Sequence, residues 1–185
     1  MNAIVVYKTK YGSTKQYAEW IAEDLDCKAV DVKNVKIDDL LSYDTIVYGG
    51  GLYAEVINGV SIITKNIEKL RDKKIIIYTT GITPADVTDY YNGEVLERNF
   101  KNGVPENVKI FNYLGRMVQD ELTPVHRAAL VSLKKLMSAK KNPSRSEEHT
   151  SELQSRADTL FPYTTLFRSN LLPYIVQHSF HSKSL

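Results

Sequence analysis

A cluster of hydroxyl-bearing residues around a glycine directly follows the first apolar run of the chain. Residues 3–7 form that run, and Thr9, Gly12, Ser13 and Thr14 come next, where an amphipathic helical pattern begins. The amides and dipole of a helix N-terminus favour an anion, and hydroxyl groups add hydrogen-bond donors. A glycine lets a ligand approach the main chain closely. These residues therefore predict a phosphate site.

The motifs that define several other phosphate-binding loops are absent. The chain has no G-x-x-x-x-G-K-[ST] motif and no G-x-G-x-x-G after its first strand, which argues against a P-loop hydrolase and a dinucleotide fold. Its single cysteine, Cys27, is not followed by the arginine of a C-x5-R phosphatase loop. A receiver domain needs acidic residues at the end of the first strand, where this chain has Tyr7, Lys8 and Thr9.

Alternating strand and helix patterns predict the elements that position this loop. Apolar runs, typical of strands in a parallel sheet, occur at residues 3–7, 28–32, 45–51, 74–81 and 108–115. Helical patterns lie between them, and such alternation predicts an α/β fold with helices on both faces of the sheet. We predict a doubly wound five-stranded parallel sheet in the order 2-1-3-4-5, with the end of the first strand at the switch point where ligands bind.

The opening residues resemble the flavodoxin signature, which is two aliphatic residues and an aromatic followed by T-x-x-G-x-T-x-x-x-A-x-x-aliphatic. The residues that occupy its positions are Val5, Val6, Tyr7, Thr9, Gly12, Thr14, Ala18 and Ile21. The resemblance extends to about residue 120 and implies a flavodoxin-like fold with FMN as cofactor. It also implies three cofactor-binding loops. The first comprises Thr9, Lys10, Tyr11, Gly12, Ser13 and Thr14, the second Gly50, Gly51, Leu52 and Tyr53, and the third Thr79, Thr80 and Gly81. Tyr53 stands where an aromatic side chain commonly packs on the isoalloxazine in this family.

The same resemblance implies more than one possible function. Flavodoxin-like electron carriers are strongly acidic, whereas this chain has a formal charge of +2. The segment that begins at Pro124 and ends at Lys141 is basic and amphipathic, and it resembles an insertion in quinone-linked protoporphyrinogen dehydrogenases. Such a segment either rests on an anionic membrane surface or covers the sheet.

We predict an FMN-dependent oxidoreductase of that type, with a redox partner protein or a quinone as its partner. The alternatives are a soluble flavodoxin-type electron carrier and a non-catalytic flavin-sensing module. No side chain is predicted to be catalytic, and neither a metal nor a nucleic-acid partner is expected. A lone cysteine, the lack of a signal-peptide pattern and the lack of a long apolar run favour a cytoplasmic protein, with peripheral membrane contact as an option.

The C-terminal region has a different character from the rest of the chain. Residues 145–155 (RSEEHTSELQS) and 159–169 (TLFPYTTLFRS) resemble in-frame translations of DNA adapters used in sequencing libraries. We therefore expect a flavodoxin-like domain in residues 1–144, truncated before its last helix. Residues 145–185 are expected to form a disordered tail that is foreign to the domain, which would leave one sheet face uncovered.

Overall fold

The computed structural model describes most of the first 115 residues and a few short stretches after them. The described residues are 1–83, 86–115, 123–125, 127–128, 131–132, 171 and 173–175. The two adapter-like stretches, the predicted boundary at residue 144 and most of the segment that begins at Pro124 lie outside them. The boundary therefore stays a prediction.

Five parallel strands form the sheet, and a sixth short strand returns along one of them. The strands are β1 (Ala3–Lys8), β2 (Lys28–Asp31), β3 (Thr45–Tyr53), β4 (Val56–Ile57), β5 (Lys74–Gly81) and β6 (Val108–Leu114). The parallel strands follow the order β2-β1-β3-β5-β6, and β4 pairs antiparallel with the end of β3. Since β5 and β6 are the fourth and fifth predicted strands, the predicted order and the doubly wound fold are confirmed.

Helical segments connect the strands, and the first of them follows the predicted phosphate loop. The helices are α1 (Ser13–Asp24), α2 (Ile37–Leu41), α3 (Ser61–Thr64), α4 (Thr88–Tyr90) and α5 (Leu96–Asn99). Two 3₁₀ turns cover Val32–Asn34 and Ile67–Leu70, and a π-helical turn, Tyr91–Val95, joins α4 to α5. The inner face of α1 buries Tyr17, Ala18 and Ile21, the 3.6-residue spacing expected of a helix that packs on a sheet.

The sheet separates two apolar clusters because neighbouring residues of a strand point to opposite faces. Ile4 and Val6 of β1 belong to a cluster with the helical segments after β3 and β5, whereas Val5 packs with α1. This two-sided burial explains why the central strands are continuous apolar runs rather than alternating ones.

Two residues of the C-terminal region belong to the cluster on the α1 side of the sheet. Leu171 and Ile175 are fully buried there, and the Lys74 ammonium donates hydrogen bonds to the carbonyls of Tyr174 (3.2 Å) and Ile175 (2.9 Å). The described residues of this region therefore pack on the sheet, while the disordered tail expected over residues 145–185 stays a prediction. A short helical stretch, with apolar residues four apart, covers part of the face that a final helix was expected to cover.

This packing makes a test of the C-terminal contact possible. We expect Leu171→Ala to lower the free energy of unfolding by about 2–5 kcal/mol, because it removes a buried side chain and leaves a cavity. Val131→Ala, at a side chain that is 52% exposed, should change it by no more than about 0.5 kcal/mol. Urea denaturation followed by circular dichroism measures both, and equal midpoints for Leu171→Ala and the unmodified chain would show that the C-terminal stretch does not contribute to the fold.

Candidate functional site

Three chain segments meet at the carboxyl edge of the sheet. They are the loop that leads into α1, the end of β3 and the end of β5, and they contain all the predicted cofactor-binding residues. Lys8 pairs with Gly50 and Gly51 pairs with Thr80 across the parallel ladders, so the three segments are neighbours in the sheet. The structure thus brings the three predicted loops together at the switch point of the fold.

The loop before α1 is closed by a hydrogen bond of its own. The Thr9 hydroxyl oxygen accepts from the Gly12 amide at 2.9 Å, and Gly12 takes the left-handed conformation (φ 88°) that directs the chain into the helix. A Cβ at Gly12 would have no atom within 4 Å, so the loop is open to an approaching ligand. Lys10 is exposed, with its ammonium 5.8 Å from the Tyr11 ring centroid.

The first turn of α1 has the features of an anion site. Ser13 and Thr14 are buried and no acidic residue lies in this turn. The first amides of a helix have no carbonyl partner within the helix, and α1 is long enough, at 12 residues, for its dipole to add a partial positive charge. Main-chain amides and small hydroxyls therefore converge where the sequence predicted a phosphate.

Two contacts fix this turn against the end of β5. The hydroxyls of Thr14 and Thr80 are 2.8 Å apart, and the Tyr78 hydroxyl donates to the Thr14 carbonyl at 2.8 Å. Tyr78 is completely buried, which raises the pKa of its hydroxyl well above the ordinary value and keeps it a neutral donor.

Aromatic rings support Tyr78 from the α1 side. The Tyr17 and Tyr113 rings stack with centroids 5.3 Å apart, and Trp20 meets Tyr17 edge-on at 5.5 Å. The Tyr17 hydroxyl also donates to the Leu114 carbonyl, at 3.2 Å. The first turn of α1 thus rests on a rigid layer of aromatic side chains.

The three consecutive glycines of β3 have different roles. A Cβ at Gly49 would collide with the Tyr78 ring, and one at Gly50 would lie 2.5 Å from Ile57 Cγ2, so both glycines are required by the packing beneath the site. Only Gly51 faces the site, where its Cβ would lie 3.2 Å from the Tyr53 ring and 3.6 Å from the Thr14 hydroxyl. Of the two predicted site glycines, Gly51 thus lies beside the predicted phosphate loop, whereas Gly50 makes room for the return strand.

The Tyr53 side chain lies between the end of β3 and the loop before α1. It is half-buried, and burial of the phenol, with a smaller contribution from Tyr11, raises the pKa of Tyr53 to about 12. The side chain of its neighbour Leu52 lies on the opposite face of the strand, where a Cβ at Gly81 would lie 3.4 Å from Leu52 Cδ1. Tyr53 is therefore an aromatic side chain of β3 that lies beside the predicted phosphate loop.

The turn after Tyr53 has a strained main chain. Ala54 and Glu55 both have positive φ (46° and 63°) and connect β3 to β4. Two left-handed residues are what a tight hairpin requires, but glycine or asparagine usually supplies them. Each left-handed residue with a side chain costs about 1–2 kcal/mol, so other contacts must hold this turn.

The Asn99 side chain supplies such contacts from α5. Its amide nitrogen donates to the carbonyls of Glu55 (2.6 Å) and Val95 (2.7 Å), and its oxygen accepts from the Ile57 amide (2.9 Å). Nothing in the sequence pattern pointed to Asn99, since it lies about forty residues from the loop that it binds.

The side chains at the end of β5 point alternately to the two faces of the sheet. Thr80 points towards α1, whereas the hydroxyl of Thr79 bonds to the Asn112 side chain of β6 at 2.7 Å. Since adjacent strand residues alternate, Thr79 faces away from the Thr14 contact, and its predicted role has no support from this geometry. Asn112 and Tyr78 were missed because their roles depend on which strands are adjacent.

The arrangement suits an organic phosphate with a planar ring. Amides, hydroxyls and an open glycine loop lie on one side, and an aromatic ring beside a close-approach glycine lies on the other. Within the described part of the chain, no group of His, Cys, Asp or Glu side chains is arranged to hold a metal ion. Nor does any described helix have the length and apolarity needed to cross a bilayer.

The fold defines an α/β protein with a doubly wound sheet, and the predicted phosphate loop lies at its switch point. The chain belongs to the flavodoxin family, since the flavodoxin domain family matches residues 4–146. Flavodoxins bind FMN, the cofactor that the opening signature implies. No curated protein matches the chain.

Solved structures that are similar to this chain include two flavodoxins and a rubredoxin oxygen:oxidoreductase. A flavodoxin from the domain Archaea is 18% identical, covering 65% of this chain and 89% of that chain, with a TM-score of 0.38. The two-electron reduced flavodoxin of Megasphaera elsdenii is 16% identical, covering 60% and 84%, with a TM-score of 0.41. Rubredoxin oxygen:oxidoreductase from Desulfovibrio gigas is 14% identical, covering 86% and 38%, with a TM-score of 0.40. At these scores, family membership is supported by the family match alone.

The raised pKa of Tyr53 predicts how stability changes in alkali. The unfolded chain loses the Tyr53 proton near the ordinary pKa of 10.0, but the folded chain retains it to about 12. The free energy of unfolding that Tyr53 contributes is therefore complete below pH 10 and decreases as the pH rises towards 12. The slope of this decrease corresponds to at most about one proton released from Tyr53 on unfolding. Urea unfolding across this range should show a smaller alkaline decrease for Tyr53→Phe, and an unchanged slope would contradict the buried position of the phenol.

Proposed function

We propose that this chain binds FMN and functions as an FMN-dependent oxidoreductase. The observation that carries the proposal is the 2.8 Å contact between the Thr14 and Thr80 hydroxyls, which joins the phosphate loop to the end of β5. Gly51 and Tyr53 lie beside this contact. When bound, the flavin would supply the electron-transfer chemistry, and the protein would supply orientation and exclusion of water.

Different residues of the proposed site would bind the phosphate and the ring of the cofactor. Thr9, Ser13 and Thr14, with the amides of the first turn of α1, would hold the phosphate without an arginine. Tyr53 would pack on the isoalloxazine, and Gly51 and Gly81 would let the main chain approach the ring edge. Burial of the Thr14 region favours a tightly held cofactor, since the donors are desolvated and already oriented.

For the reaction itself we propose a protoporphyrinogen-dehydrogenase-like oxidation of a reduced porphyrinogen ring, with a quinone as electron acceptor. The low net charge supports an enzyme over a strongly acidic electron carrier. In the described part of the segment that begins at Pro124, Val125 is 75% exposed and Val131 is 52% exposed, and Arg127 is exposed as well. Exposed apolar and cationic side chains together suit the surface of an anionic membrane, where quinones are found.

The cofactor proposal predicts a specific effect at Thr14. We expect the full chain to bind FMN and Thr14→Val to weaken the affinity about tenfold, because the Thr80 hydroxyl loses its buried partner and the phosphate loses a donor. Thr64→Val, the same change on α3, should alter the affinity by less than about twofold. Isothermal titration calorimetry measures both, and an unmodified chain that ignores FMN would refute the cofactor assignment.

The membrane proposal predicts binding to anionic vesicles that weakens with salt. Arg127→Glu should lower the membrane-bound fraction about tenfold or more in flotation with phosphatidylserine vesicles, since each basic residue near such a surface contributes about 1 kcal/mol. The matched control is Arg71→Glu, at a side chain that is 76% exposed in the turn before β5. If the chain does not float with anionic vesicles, a soluble electron carrier becomes the better assignment. Redox titration, by showing whether reduction takes one step or two, then characterises that carrier.

A further inference from the structure

We propose that Asn99 is a positioning residue that sets the ring-binding half of the site, independently of the phosphate-binding half. The inference rests on the proposed FMN function. Asn99 lies on α5 and does not belong to any of the three predicted loops. It acts on the turn that follows Tyr53, the residue proposed to pack on the isoalloxazine.

The Asn99 amide takes the place of a strand neighbour on the outer edge of β4. In the hairpin, the Asn58 amide bonds inward to the Gly51 carbonyl, at 3.0 Å. The Glu55 carbonyl and the Ile57 amide are directed outward instead, and Asn99 satisfies both with one side chain. A side-chain amide that donates to one residue and accepts from the residue two positions later reproduces the bonding of an adjacent strand. This contact compensates for a hairpin of only two residue pairs.

The same contact holds the two left-handed residues in place. The donor bond to the Glu55 carbonyl fixes the second of them, and the acceptor bond to Ile57 fixes the strand immediately after the turn. Without Asn99, Ala54 and Glu55 can relax towards negative φ, and the direction of Tyr53 changes with them because Tyr53 precedes the turn directly.

The π-helical turn before α5 sets the direction of Asn99. A π turn inserts one residue into a helix, which rotates everything after it by about 100° relative to a regular helix. Tyr91, the first residue of that turn, is buried and its hydroxyl donates to the Thr83 carbonyl at 2.6 Å, so the turn is anchored to the loop after β5. Asn99 also donates back to the Val95 carbonyl, which orients its amide.

The second contact of α5 with the turn is a weak one. Arg98 lies 4.0 Å from the Glu55 carboxylate, and its side chain is 58% exposed. Such surface ion pairs contribute little, so the position of the turn depends on the Asn99 amide rather than on the neighbouring charge pair.

The test compares FMN with riboflavin, which has the ring but no phosphate. We expect Asn99→Ala in the full chain to weaken the binding of both ligands by the same factor, about tenfold, because two hydrogen bonds to the turn are lost. Asn99→Asp keeps an acceptor for Ile57 but cannot donate to Glu55, so we expect a similar loss. The ratio of the FMN and riboflavin dissociation constants should stay as in the unmodified chain, whereas Thr14→Val should change that ratio.

A rescue variant separates positioning from general destabilisation. Ala54→Gly accepts a positive φ at no steric cost, so Asn99→Ala combined with Ala54→Gly should recover most of the lost riboflavin affinity. Asn66→Ala removes an asparagine that likewise bonds to the carbonyl four residues before it, at 3.0 Å, but lies after α3. Asn66→Ala and a second control, Arg98→Ala, should each leave the affinities for FMN and riboflavin within about twofold of those of the unmodified chain.

A measurement without cofactor completes the experiment. In the cofactor-free chain, hydrogen exchange at the Ile57 amide should be about tenfold faster in Asn99→Ala than in Asn66→Ala. An unmodified chain that binds neither ligand refutes the proposed function and this inference with it. If the unmodified chain binds FMN but Asn99→Ala binds riboflavin equally well, only the inference is overturned. Equal losses in Asn99→Ala and Asn66→Ala, or no rescue by Ala54→Gly, overturn it as well.

Discussion

The hydrogen bond from the Tyr78 hydroxyl to the Thr14 carbonyl is the contact on which the site depends. It is made where a strand in the middle of the sheet meets the first turn of a helix, and both partners are buried. Gly49 is required because the Tyr78 ring occupies the space of its Cβ, and the Thr14–Thr80 hydroxyl pair forms two residues further along β5, on the same face. Because a buried phenol without its acceptor would cost free energy, this contact fixes the height of α1 above the sheet edge and so places the amides of the helix.

The two halves of the site are held by different parts of the fold. The phosphate half depends on α1 and β5, which are in contact through rigid aromatic packing. The ring half depends on a two-residue return strand with a left-handed turn, and the side chain that holds this turn comes from the connection between β5 and β6. In the proposed site, the phosphate would thus be held by one part of the fold and the ring by a separately supported loop.

On the α1 side of the sheet, residues of the C-terminal region cover part of the apolar face. The cluster around Val5 and Ile76 includes Leu171 and Ile175, from beyond the stretches that resemble adapter sequence. Lys74, at the start of β5, donates to two carbonyls of that short helical stretch, and burial lowers the pKa of its ammonium. Leu171 and Ile175 are four residues apart, so they lie on one side of the helical stretch, and their burial removes apolar surface of this face from water.

The sequence by itself determined the class of fold, whose strand order the sheet confirms, and the position of the helix entry that is expected to bind a phosphate. These follow from local patterns, since runs such as residues 74–81 show burial on two faces and the spacing of Thr9, Gly12 and Thr14 identifies a helix entry suited to a phosphate. The tertiary structure alone decided that Gly51 rather than Gly50 faces the site, that Thr79 points away from Thr14, and that Asn99 supports the turn after Tyr53. The reason is physical. Periodicity and helix entry depend on neighbours along the chain, whereas the facing of a glycine and the partner of a buried amide depend on residues that are brought together only when the strands pair.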